Sequence, residues 1–155
     1  MARRDYENDP NAPAPNSLVP AASVVVVNDA GQLLLQRRVD NGMWALPGGQ
    51  MELGESLAGC GIRETKEETG IDIEITGIVG TYTDPKHVFA YDDGEVRQEF
   101  SICLLGKPIG GSVTVSDEST EVAWFDWEAV EDLPMVSNIR KRLNDWKSGK
   151  IPVIR

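Results

Sequence analysis

Apolar and polar positions along this chain fall into short blocks whose period changes from segment to segment. Ser23–Asn28 (SVVVVN) is a β-branched run of the length and apolarity of a buried strand. Asp29-Ala30-Gly31 makes a turn, and Gln32–Arg38 (QLLLQRR) is expected to pair back on that run as a hairpin. After an Asn41-Gly42 turn, Trp44–Leu46 leads as a short extended piece into Pro47-Gly48-Gly49. A helix follows. Ser56 suits its N-cap, Glu55 adds negative charge near the positive end of the dipole, and Gly70 suits a left-handed C-cap. Ile71–Thr83 returns to a strand pattern, with Ile71, Ile73, Ile75, Ile78 and Val79 as its apolar positions. Asp92-Asp93-Gly94 marks a hairpin turn. One long strand over Glu95–Gly106 and shorter ones over Ser112–Ser116 and Glu121–Phe125 are expected after it. Asp126 can cap a brief helix, Trp127–Leu133, which Pro134 stops. In Ser137–Ser148, Ile139, Leu143 and Trp146 recur at helical spacing, so the segment predicts an amphipathic helix. Together these elements predict an α/β (α+β) fold with a mixed β-sheet between helices.

At 155 residues the chain fits one domain with a substantial core. The opening MARRDYENDPNAPAPNS is rich in Pro, Asn and Asp and has no apolar stretch to serve as a secretory signal. Residues 1–17 are therefore expected to form a flexible or extended arm, and 18–155 the domain. No apolar run approaches the length that spans a bilayer. A formal charge of −10 argues against a general nucleic-acid binder, which needs basic surface. Cys60 and Cys103 offer neither a disulfide framework nor a zinc spacing, and read as reduced core thiols of a cytoplasmic protein.

The candidate chemistry lies in residues 49–71, GQMELGESLAGCGIRETKEETGI. On a helix, Glu64, Glu67 and Glu68 stand at i, i+3 and i+4, which stacks three carboxylates on one face. Each like-charge pair at that spacing costs a few tenths of a kcal/mol, roughly, in an isolated helix. A divalent cation removes the penalty, and Mg²⁺ typically meets one or two carboxylates together with substrate phosphates. A solvated acidic helix face is the plain alternative. Arg63 precedes Glu64 and reaches Glu67 at i+4, so it can fix that carboxylate's rotamer.

The same stretch resembles the signature of the Nudix hydrolases, G-x5-E-x7-R-E-U-x-E-E-x-G-U with U a bulky aliphatic residue. Gly49, Glu55, Arg63, Glu64, Glu67, Glu68, Gly70 and Ile71 match, and Thr65 departs at an aliphatic position. The resemblance implies the Nudix fold, an α/β/α sandwich with the signature helix against the sheet. It also implies a Mg²⁺-dependent (or Mn²⁺-dependent) hydrolase of nucleoside diphosphate derivatives, acting on a small-molecule nucleotide. Glu67 and Glu68 would then ligate the metal, with the Gly48 carbonyl and Glu64 as further ligands. Glu64 is also a candidate general base, Arg63 orients the carboxylates, and Glu55 supports the loop. Some relatives take the base from a distal loop, where Glu118 of Asp117-Glu118 falls here, with Glu121 and Glu99 as lesser candidates. Tyr82, His87 and Arg97 are candidate substrate contacts beside Tyr91, Phe89 and Trp44, although core packing is the commoner fate of such aromatics. Pro85 stands near the place of a proline found in relatives that cleave ADP-ribose, which favours ADP-ribose or a similar nucleoside diphosphate sugar. Hydrolysis of surplus or oxidised nucleoside triphosphates is the second enzymatic reading, and a non-catalytic nucleotide sensor is the reading from another class. Relatives commonly pair as homodimers.

Overall fold

A computed structural model of the chain describes residues 3–155; Met1 and Ala2, the first residues of the expected arm, lie outside the described residues. In chain order its elements are β1 (Arg3–Glu7), β2 (Ser17–Leu18), β3 (Ala21–Val26), β4 (Leu33–Arg38), β5 (Trp44–Ala45), β6 (Gly48–Gln50), α1 (Leu57–Thr69), β7 (Ile71–Tyr82), β8 (His87–Tyr91), β9 (Val96–Gln98), β10 (Ser101–Gly111), β11 (Ser119–Phe125), α2 (Trp127–Val130), α3 (Ser137–Ser148) and β12 (Val153–Ile154). They make three sheets, ordered β1-β8-β9-β2, β12-β7-β10-β3-β6 and β11-β4-β5.

The second sheet is the centre. Its β3 is apolar on both faces, as a strand covered on two sides must be. Ala22, Val24 and Val26 pack with Leu34, Cys60, Ile71, Ile73 and Leu104 beneath α1. Val25 points the other way, into a core shared with Leu35, Trp44, Val79, Cys103, Val130 and Leu143 and flanked by Ile139 and Trp146 of α3. The helices thus cover opposite faces of a mixed sheet: β10 runs parallel to β3 and antiparallel to β7. This is the α/β/α sandwich expected from the sequence.

Five expectations are corrected. Residues 3–7 do not form a loose arm: they pair antiparallel with β8, from Arg3 opposite Tyr91 to Glu7 opposite His87. The β3–β4 hairpin reduces to a single bridge, Val27 with Leu33, because β4 leaves to pair with β11 and β5. The strand expected over Glu95–Gly106 breaks at Glu99-Phe100 into β9 and β10, in different sheets. Ser112–Ser116 has no strand, and the helix at Trp127 ends at Val130.

Candidate active site

Helix α1 carries the acidic signature, and local chemistry sets both its ends. Ser56 Oγ accepts from the Gly59 N–H at 3.0 Å, and Gly70 closes the helix at φ +79°. A Cβ at Gly70 would collide with the Ser112 carbonyl oxygen, so the position requires glycine twice over. The buried face of α1 is Cys60, Gly61, Thr65, Glu68 and Thr69.

Arg63 is the hub of the signature. Its guanidinium donates to both oxygens of Glu55, at 2.5 and 3.0 Å, a bidentate pair. It also donates to Glu64 Oε1 at 2.9 Å, to Glu67 Oε2 at 3.2 Å and to the Gln50 carbonyl at 3.2 Å. The hydrogen bonds from Arg63 hold the Glu55 carboxyl well below its usual range, at about 2. One arginine therefore ties the loop before the helix to the carboxylates on it.

Glu68 is buried, at 5 % exposure. Its Oε1 accepts from the Gly48 N–H at 3.2 Å, and its Oε2 from the Gln36 amide of β4. Burial, and behind it the facing Glu64, push the Glu68 carboxyl up to about 8 against the opposing effect of those donors. Gly48 and Gly49 lie in β6, opposite Ser23 and Ala22 of β3. A Cβ at Gly48 would strike the β3 backbone, and one at Gly49 would stand 2.5 Å from the Glu64 carboxylate. Glycine is required at both by close approach.

A cavity of about 270 Å³ opens beside Gly48, Gly49 and Gln50. Arg38 of β4, Tyr91 and Arg97 of the first sheet, and Asn138 and Arg142 of α3 lie on its other sides. Arg97 donates to Gln50 Oε1 at 3.1 Å and is held by Glu95 at 2.7 Å. Arg142 is buried, donates to Glu99 Oε1 at 2.9 Å, and leaves its Nε without a partner.

Among the described residues, no three carboxylate, histidine or cysteine side chains close on one point. Glu67 is turned toward Arg63 and exposed, and Glu64 and Glu68 face each other. Such a donor set fits a hard divalent ion that needs one or two carboxylates plus phosphate oxygens and water. A buried carboxylate set against a second one is the arrangement a cation relieves.

A NUDIX domain model matches residues 17–146 of the chain. This protein belongs to the Nudix family. A MutT-like protein of Streptomyces ambofaciens is 37% identical over 84% of this chain and 78% of its own length. An ADP-ribose pyrophosphatase of Methanocaldococcus jannaschii is 31% identical over 85% of this chain and 78% of its own. A solved NUDIX hydrolase from Nitrosomonas europaea shares the fold, with a TM-score of 0.68, 19% identity, and coverage of 86% of this chain and 91% of that one. This Nudix protein is a pyrophosphohydrolase, and its family generally uses divalent metal ions.

Of the signature residues, Glu55, Glu64 and Glu67 each contact Arg63, Glu68 faces Glu64 from the buried side of the helix, and Arg97 lies at the cavity. Two expected substrate contacts do not. Tyr82 is buried, its hydroxyl donating to Asp145 Oδ2 at 2.8 Å under the Arg142 guanidinium. His87 is buried on β8 with Nδ1 3.3 Å from Glu99. Burial raises the Glu99 carboxyl, but His87 and Arg142 outweigh it and hold the group low, so Glu99 is a structural anion. Trp44 packs edge-on to Phe125 in the core. Glu118 sits on an exposed loop, its carbonyl accepting from the Val39 N–H at 3.0 Å, next to the Ser119–Arg38 pairing. Gln36, which donates to Glu68, and Arg38, which lines the cavity, are site residues that sequence reasoning misses. The only sign of Gln36 in the sequence is an amide closing an apolar run.

Proposed function

We propose that this Nudix hydrolase cleaves the diphosphate linkage of a nucleoside diphosphate derivative, with ADP-ribose or a similar nucleoside diphosphate sugar favoured, in a Mg²⁺-dependent reaction that Mn²⁺ also supports. The observation that carries this reading is that Glu64 and Glu68 pack against Gly49 and Gly48, whose strand lines a cavity of about 270 Å³. The ADP-ribose preference is supported by the M. jannaschii relative and by Pro85.

When bound, the cation neutralises phosphate oxygens and lowers the pKa of the attacking water. Glu67, Glu68, Glu64 and the Gly48 carbonyl would hold it. Arg63 keeps Glu55, Glu64 and the Gln50 carbonyl in fixed positions, so the ligands need little reorganisation as charge develops. Gln36 and the Gly48 N–H orient Glu68. Arg97 and Arg38 line the cavity beside Gly48–Gln50. The candidate acceptors of the water's proton are Glu64 and Glu118, the latter on a loop beside Arg38. The products are a nucleoside monophosphate and the phosphorylated remainder. A net charge of −10 supports a small-molecule substrate over a nucleic acid, and two buried free thiols support a cytoplasmic setting.

The test is a panel of ADP-ribose, UDP-glucose, diadenosine polyphosphates and (d)NTPs, with Mg²⁺ or Mn²⁺ and with chelator. Turnover of the nucleoside diphosphate sugars that stops on chelation is expected, and turnover confined to triphosphates would overturn the substrate assignment. Glu118→Gln is expected to cut kcat at least a hundredfold. An unchanged rate returns the proton to Glu64.

A further inference from the structure

The family match begins at residue 17, yet the cavity is lined by two residues before it, Arg3 and Asp5. Strand pairing puts them there. Arg3 stands opposite Tyr91 and Asp5 opposite Phe89, and Phe89 in turn stands opposite Arg97. Directly opposed residues share a sheet face, so these five side chains form one wall. Within it the Arg3 guanidinium lies 4.6 Å from the Phe89 ring centroid, and the Arg97 guanidinium 4.6 Å from that of Tyr91. Each guanidinium is held by its own carboxylate, Arg3 by Asp5 at 2.8 Å and Arg97 by Glu95 at 2.7 Å.

That balance decides what the wall recognises. A phosphate is drawn to uncompensated positive charge, and here each charge is already matched. What the wall offers is rigid planar surface, made of rings and of guanidinium planes fixed against them. Planar surface of this kind stacks nucleobases, and arginine planes serve as well as aromatic rings. Arg97 also touches Gln50 of the signature loop, whereas β1 lies two strands further out. The Arg3–Phe89 part of the wall is therefore the part farther from the signature loop.

We propose that the N-terminal strand is part of the substrate site, with the Arg3 guanidinium, clamped by Asp5 against Phe89, forming a stacking surface for the base of the nucleotide. This rests on the reading that the cavity takes a nucleoside diphosphate derivative. It makes base recognition depend on two residues before the matched segment, Arg3 and Asp5, together with Phe89 within it.

The test compares wild type, Arg3→Ala and Arg3→Lys. It uses steady-state hydrolysis of the best substrate of the panel and metal-free calorimetric titration with AMP, UMP and ribose 5-phosphate. Lysine keeps the charge and loses the plane. Arg3→Ala is expected to raise KM about tenfold with kcat within about twofold, and to weaken the tighter-binding monophosphate in parallel. Arg3→Lys is expected to behave as alanine does, and ribose 5-phosphate, which has no base, to bind all three proteins alike. Thermal melting confirms that the variants are folded, since Arg3 sits on a partly exposed edge strand. Unchanged KM in a folded Arg3→Ala, or full recovery by lysine, overturns the stacking role. Absence of turnover by wild type on the whole panel instead sinks the proposed function.

Discussion

Replacing Gly49 with alanine would set a methyl carbon 2.5 Å from the carboxyl carbon of Glu64 and from one of its oxygens. An ordinary contact between such atoms is about 3.5 Å, so the overlap is about 1 Å. The backbone cannot absorb it, because Gly49 is paired with Ala22 in the central sheet. The carboxylate must move, and it is the free end of a flexible side chain. A misplacement of about 1 Å in a catalytic group costs on the order of a hundredfold in rate. Gly49→Ala should therefore lower kcat/KM about a hundredfold while holding stability within about 1 kcal/mol of wild type. Gly48→Ala is the control of opposite kind. Its methyl would meet the Ala22 carbonyl and the Ser23 Cα, both backbone, so it should destabilise by about 1–3 kcal/mol or more. Hydrolysis of ADP-ribose with Mg²⁺, together with urea unfolding of the metal-free proteins, measures both. Wild-type kcat/KM in Gly49→Ala would refute the claim that the Glu64 position matters, and equal destabilisation in the two variants would refute the distinction between yielding side chain and fixed backbone.

Three further outcomes are expected. Glu68 is raised from its ordinary value near 4.5 to about 8, so its contribution to metal-free stability is fully present below pH 4.5 and lost as pH climbs through about 8. Melting of wild type against Glu68→Gln across that window should converge at low pH and favour the variant at high pH, and Mg²⁺ should stabilise wild type more as pH rises; parallel curves would contradict the buried carboxylate. Gln36→Leu removes the amide that holds Glu68 and should weaken Mn²⁺ binding and kcat by about 10–100-fold, measured by electron paramagnetic resonance titration and by turnover, with wild-type affinity counting against it. Thr65 is fully buried and its hydroxyl has no partner, so Thr65→Val should add about 1 kcal/mol of stability in urea unfolding with turnover unchanged; a loss would mean the hydroxyl is bonded in solution.

The signature helix was legible in the sequence because its information is local. Caps, carboxylate spacing and the Arg63 reach are all set within one helix and its flanks. What the sequence concealed depends on distant partners. RRDYE has no apolar alternation, and β1 forms because β8 offers it a free edge. His87 follows Asp-Pro-Lys and reads locally as a loop residue, but Glu99 and Arg142 make a buried place for it. The same Glu99 explains why the strand expected over Glu95–Gly106 divides. Its side chain turns inward to that ion cluster and its N–H bonds the His87 carbonyl, after which Phe100 is left half-exposed and the chain changes sheet. Leu33–Leu35 is buried on both faces, and a strand so covered has no need to remain beside its sequence neighbour β3. Of the cavity wall, Arg97, Tyr91 and Phe89 are legible as candidate contacts, whereas Arg3 and Asp5 are not, because β1 joins the wall only by pairing with distant β8.

The most direct measurement is Mn²⁺ titration by electron paramagnetic resonance, on wild type and on a Glu67→Gln/Glu68→Gln double variant, each with and without AMP. Saturable binding to wild type that the double variant loses is the expected result. Wild-type protein that leaves Mn²⁺ free in solution even with nucleotide present, or a double variant that binds it equally well, would contradict a catalytic cation seated on the carboxylates of α1.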